Sequence, residues 1–158
     1  MRTRTTRRSA GILAAGLAAC VLALLLANCA RTPPEQSLRQ AVAALQSSVE
    51  ARQAGAIREL LADDFIGPDG MDREAAVRLA QLSFLQHPTV GATVGPLHIV
   101  LSPSARAPDH ATVEFSAALT GGPGAGLPGE ANLYDVRTGW RLQSGDWRMT
   151  SADWKPAL

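Results

Sequence analysis

Beyond Cys29 the chain has no cysteine at all, which excludes a disulfide framework and a thiolate metal site in the body of the protein. The two cysteines present, Cys20 and Cys29, lie inside or at the edge of an apolar run near the N-terminus. Lysine is almost missing: Lys155 stands alone against fourteen arginines, and with the abundant alanine this points to a GC-rich bacterial genome. Aromatic residues are few, with three Phe, three Trp and one Tyr in 158 residues, so each large side chain is a strong core or pocket candidate. The three histidines, His87, His98 and His110, are scattered and show no close helical pairing, so neither a metal site nor a cofactor is expected. The glycine-rich stretch TGGPGAGLPGE lacks the lysine and following helix of a phosphate-binding loop and is expected to be a hairpin loop. No serine stands in a nucleophile elbow.

What is present begins with a strongly asymmetric N-terminus. Arg2, Arg4, Arg7 and Arg8 precede a 17-residue uncharged run, GILAAGLAACVLALLLA. A basic region, an apolar region and small residues at its exit are the parts of an export signal. Without the first 28 residues, 11 basic and 14 acidic side chains remain, a formal charge of −3. Such a body has no electrostatic reason to bind nucleic acid.

The end of this run, Leu26-Ala27-Asn28-Cys29, resembles the lipoprotein box of bacteria, with Asn28 where Gly, Ala or Ser is usual. Leu17-Ala18-Ala19-Cys20 matches the box residue for residue, but cleavage there would leave VLALLLA as an unburied apolar tail. Cys29 instead sits where the apolar run meets polar chain. An uncleaved anchor over residues 11–30 is the other reading, since some twenty apolar residues can span a bilayer. The resemblance implies a signal peptide over residues 1–28, a lipidated Cys29 with a short tether to residue 36, and a single domain over 37–158. It also implies acyl chains on Cys29, hence membrane attachment in the cell envelope, on the periplasmic side of the outer membrane because Ala30 follows the cysteine rather than aspartate.

The body reads as helices followed by strands. Thr32-Pro33-Pro34-Glu35 is a capping-box pattern with Thr32 as N-cap, and Leu38, Val42, Leu45 and Val49 share one face of a helix over residues 33–53. A second short helix is expected over 56–62, then a turn at GPDG. A third opens on Asp72 as N-cap, carries Ala76, Val77, Ala80 and Phe84 on one face, and stops at His87-Pro88. Leu97, Ile99 and Leu101 alternate, as do Val113, Phe115, Ala117 and Leu119. A strand over 131–143, interrupted near Arg137-Thr138-Gly139, turns at Ser144-Gly145-Asp146 into a last strand beginning at Trp147. Three helices and then about four strands in meander order predict an α+β domain with helices on one face of a curved antiparallel sheet.

The stretches SSVEARQAGAIRELLADDFIGPDG, MDREAAVRLA and GWRLQSGDWRMTSADW together resemble the nuclear transport factor 2-like superfamily, the cone-shaped α+β fold shared with ketosteroid isomerase. This resemblance implies an apolar pocket between helices and sheet, with Phe65, Phe84, Phe115, Tyr134 and Trp140 as lining candidates, and raises a homodimer through the sheet. The isomerase triad does not carry over, because the one tyrosine, Tyr134, lies in a strand rather than in the first helix. The expected function is therefore a non-catalytic domain that binds a small apolar ligand or an envelope protein. The alternative is an isomerase- or dehydratase-type enzyme using Asp64, His98 or Tyr134 as acid–base residue.

Overall fold

The computed structural model describes residues 32–121 and 131–157. The expected signal peptide, Cys29 and most of the glycine-rich stretch lie outside the described residues. A compact unit begins at Pro33. Its elements run α1 (Pro34–Glu50), α2 (Ala54–Leu60), β1 (Leu61–Ile66), a 3₁₀ turn (Pro68–Gly70), α3 (Arg73–Gln86), β2 (Gly91–Val94), β3 (His98–Ser102), β4 (His110–Thr120), β5 (Ala131–Gln143) and β6 (Asp146–Pro156).

The apolar stripe of α1 is buried where expected, with Leu38 and Val42 inaccessible and Leu45 and Val49 packed against the core. Its ends differ from the expectation. Pro33 occupies the N-cap position and no side chain caps the helix. Glu35 bonds Arg39 one turn on rather than reaching back. The helix stops at Glu50 because Arg52 adopts a left-handed conformation, φ 57°. The Arg52 guanidinium then donates to the carbonyls of Phe84 and Pro88, tying the end of α1 to the end of α3. The start of α3 follows the expectation: the Asp72 carboxylate accepts from the Ala75 amide at 2.7 Å.

The sheet has six strands rather than four. Strands β3 to β6 form the expected antiparallel meander. The first added strand, β1, takes up residues expected to end a helix and turn, and pairs in parallel with β6, so the sheet is mixed. The second, β2, pairs with the far half of β4 along the same edge as β3. Between β2 and β3 the register on β4 slips by one residue at Gly95-Pro96-Leu97. Gly95 lies so close to β4 that an added Cβ would meet the Ser116 carbonyl at 3.2 Å.

Strand β5 is unbroken along β4, and the irregularity expected near Arg137-Thr138-Gly139 is instead a slip in its pairing with β6. Gly139 pairs with Ser151 and Trp140 with Met149, leaving Thr150 as an extra residue. A bulge of this kind bends the sheet and restarts the alternation of β6 in the opposite phase. The β5–β6 hairpin closes through Ser144 and Gly145, both at positive φ (53° and 96°), the geometry of a two-residue primed turn.

The three helices cover one face of this sheet. Trp140, Val113 and Leu38, all at or below 1% exposure, form the centre of the core, with Trp147, Met149, Phe65, Phe84 and Ile57 around them. A buried polar pair is self-contained: Trp140 Nε1 donates to Thr138 Oγ1 at 2.8 Å, which donates to the Val113 carbonyl at 3.2 Å. Trp147 reaches across to α1, its Nε1 lying 3.0 Å from both the Pro34 carbonyl and Ser37 Oγ.

Candidate functional site: the open end of the cone

Residues directly opposite one another on antiparallel strands point to the same face of a sheet. On the helix-covered face, pairing aligns Ala111, Trp140 and Met149 in one row and Val113, Thr138 and Ala152 in the next. These rows are core. Two further rows continue on the same face: Phe115, Val136 and Trp154, then Ala117, Tyr134 and Pro156. In them burial falls away. Phe115, Val136 and Tyr134 are half-buried and Trp154 is 39% exposed. The apolar face thus runs from a filled interior to an open, partly aromatic end.

The lining candidates divide along this gradient. Phe65, Phe84 and Trp140 are core residues, with exposures of 4%, 8% and 1%. Phe115 and Tyr134 stand at the open end. Val136 and Trp154 complete that end, and the sequence pattern does not single them out. Simple alternation from Trp147 and Met149 sends Trp154 to the outer face; the bulge at Thr150 returns it to the inner one.

The opposite face of the sheet is mostly polar, with Val100 and Leu133 as large apolar side chains exposed on it. It carries a cleft of about 560 Å³ flanked by Glu114, Ser116, Asp135, Arg137, Asp153 and Lys155, whose charges alternate between neighbouring strands. Arg137 and Glu114 lie 3.5 Å apart, and the Ser116 hydroxyl donates to Asp135 at 3.3 Å. His98, Val100 and Thr112 continue this face, so His98 points away from the cone.

Asp63 and Asp64 point apart and each has its own arginine. Asp63 pairs with Arg73. Asp64 forms a two-pronged bond with Arg141, at 2.5 and 3.0 Å. The Arg141 guanidinium, by hydrogen bond and charge, holds the exposed Asp64 carboxyl below its ordinary pKa. A carboxylate so held stays ionised and is a poor general base at neutral pH. Asp64, His98 and Tyr134 therefore lie on a sheet-edge strand, the outer face and the open end respectively, and do not converge. Among the described residues, no group of three or more His, Cys, Asp or Glu could hold a metal ion.

No family model matches the sequence, and no curated protein matches it. Solved structures do match. Bd1075 of Bdellovibrio bacteriovorus superposes with a TM-score of 0.65 at 11% identity over 77% of this chain, which spans only 41% of that protein. A nuclear transport factor 2-like protein of unknown function from Pseudomonas putida gives 0.64 at 18% identity, covering 78% of this chain and 87% of the other. A candidate dehydratase of the nuclear transport factor 2-like family from Streptomyces avermitilis gives 0.63 at 16% identity, covering 78% and 95%. At such identities the likeness is one of backbone: this chain has the nuclear transport factor 2-like fold.

Proposed function

We propose that the protein is a lipid-anchored envelope component whose nuclear transport factor 2-like domain is a binding module, taking a small apolar ligand at the open end of the cone. The observation that carries this reading is the pair of half-open rows, Phe115–Val136–Trp154 and Ala117–Tyr134–Pro156, that extend the apolar face past the packed core. An apolar wall with one phenol and one indole can bury a hydrophobic body and orient a single polar end. The export signal and Cys29 supply the anchor in this reading. The separation of Asp64, His98 and Tyr134 favours binding over acid–base catalysis, because proton transfer needs groups within hydrogen-bond reach of one reacting atom.

Native mass spectrometry of the full protein, extracted from its own envelope in mild detergent, tests this. A retained small molecule released by organic solvent is the expected result. A bare protein mass under conditions that keep the domain folded would overturn the ligand-binding reading.

A further inference from the structure

Helix α3 is apolar on two faces. Val77 and Phe84 are buried against the fold, while Leu79, Leu82 and Leu85 form a second stripe at spacings of three, exposed at 47%, 57% and 80%. A helix of a folded domain ordinarily turns a polar face to water, and among the described residues nothing covers this stripe.

Two observations identify that partner. The first is charge. From Ala75 to Pro108 the chain has no Asp or Glu, although 14 acids are present overall, and Arg78 lies within the leucine stripe. This segment comprises nearly all of α3 and the whole β2–β3 edge of the sheet. Glu74, in the first turn of α3, is paired with Arg58, so such a flank meets an anionic phospholipid surface with little repulsion, and leucines with a neighbouring arginine are the composition of an interfacial helix.

The second is reach. Cys29 is five residues from Pro34, and so short a chain spans at most about 18 Å. Helix α1, with 17 residues, is about 25 Å long. Its N-terminal end is pinned by Trp147 at the β5–β6 hairpin, and its C-terminal end is tied through Arg52 to the end of α3 that carries Leu85. The leucines and Pro33, where the described domain begins, thus sit near opposite ends of α1.

We infer that α3 is a second membrane contact. The leucine stripe enters the phospholipid interface, and the domain lies on its side with α1 running along the bilayer rather than standing up from it. The inference rests on lipid attachment at Cys29, as proposed above.

The test uses the full chain carrying Leu82→Cys. With Cys29 acylated through its sulfur and Cys20 removed with the signal, the substitution supplies the one reactive thiol. The protein is labelled there with a solvatochromic dye and reconstituted into vesicles of equal parts phosphatidylethanolamine and phosphatidylglycerol. The expected result is a blue-shifted emission that loses most of its intensity to brominated lipid. The same dye on Asp153→Cys, on the outer face of the sheet, should keep its emission in water. A chain that floats with the vesicles but keeps water-like emission at position 82 overturns the second contact and leaves the anchor intact. Shielding seen only in native envelope membranes, and not in protein-free vesicles, overturns it in favour of a protein partner. Reactive thiols in the parent chain, or failure to float, overturn the anchor and the second contact together.

Discussion

Trp147 is where the start of the fold is fastened to its last hairpin, and its removal has a calculable cost. The side chain is 3% exposed and packs in the central cluster. Truncating a buried tryptophan to alanine costs about 3–5 kcal/mol through lost burial and the cavity left behind. The indole N–H also faces the Pro34 carbonyl and the Ser37 hydroxyl in the first turn of α1. Loss of one such bond adds about 1 kcal/mol. Trp147→Ala should therefore lose about 4–6 kcal/mol, a large part of the roughly 5–15 kcal/mol of a typical domain. Trp147→Phe keeps most of the apolar volume and loses the donor, so about 1–2 kcal/mol is expected. Urea titrations followed by far-ultraviolet circular dichroism measure both. An alanine variant within about 1 kcal/mol of the parent would refute the placement of this ring in the core. Equal losses for Phe and Ala would mean that the hydrogen bond, and not packing, dominates.

Three further outcomes follow from the same structure. Because Arg141 depresses the folded-state pKa of Asp64, this pair stabilises the fold above the unfolded carboxylate value near pH 4 and stops doing so as pH falls through the lower folded value. Asp64→Asn should flatten the acid limb of a stability–pH profile at low salt; an unchanged limb would show that the exposed pair contributes nothing. At Gly139 an added Cβ would come within 2.6 Å of Ser151 Oγ and 3.2 Å of Thr150 Oγ1, two hydroxyls that can turn to other rotamers, so Gly139→Ala should cost no more than about 1 kcal/mol in thermal or urea unfolding, and a clearly larger loss would show that the bulge itself has to move. Cys29→Ser should leave only the weak contact of α3, so that a carbonate wash releases the protein from membranes without changing its melting temperature, and sedimentation that survives the wash would favour an uncleaved anchor.

The helices and the meander were legible in the sequence because their signals are local. Leu38 and Val42 on α1, Asp72 capping α3 and the alternation through Val113 and Phe115 all act within a few residues. Strand β1 was not legible: LADDFI follows a helix without a break, two of its six residues are acids, and its parallel partner lies more than eighty residues away. The acids are tolerated because Asp63 and Asp64 point to solvent and meet Arg73 and Arg141, partners that no local pattern announces. Four-residue β2 is likewise too short to show a period. At the candidate site the sequence identifies Phe115 and Tyr134 by type. It does not separate them from the core residues Phe65, Phe84 and Trp140, since exposure depends on which strand ends the helices leave uncovered. Trp154 was not legible because a single inserted residue, Thr150, reverses the alternation that would have turned it to the outer face.

The measurement that bears most directly on the account is ligand retention in paired proteins, the parent and Val136→Asp. Val136 lies at the centre of the Phe115–Val136–Trp154 row, and a carboxylate there would have to be desolvated by any apolar occupant. Both proteins are extracted from the same envelope and compared by native mass spectrometry, with melting curves confirming that both are folded. A bound small molecule is expected on the parent and its loss from the variant. The same bound mass on both proteins, or none on the parent, would contradict a ligand site at the open end of the cone.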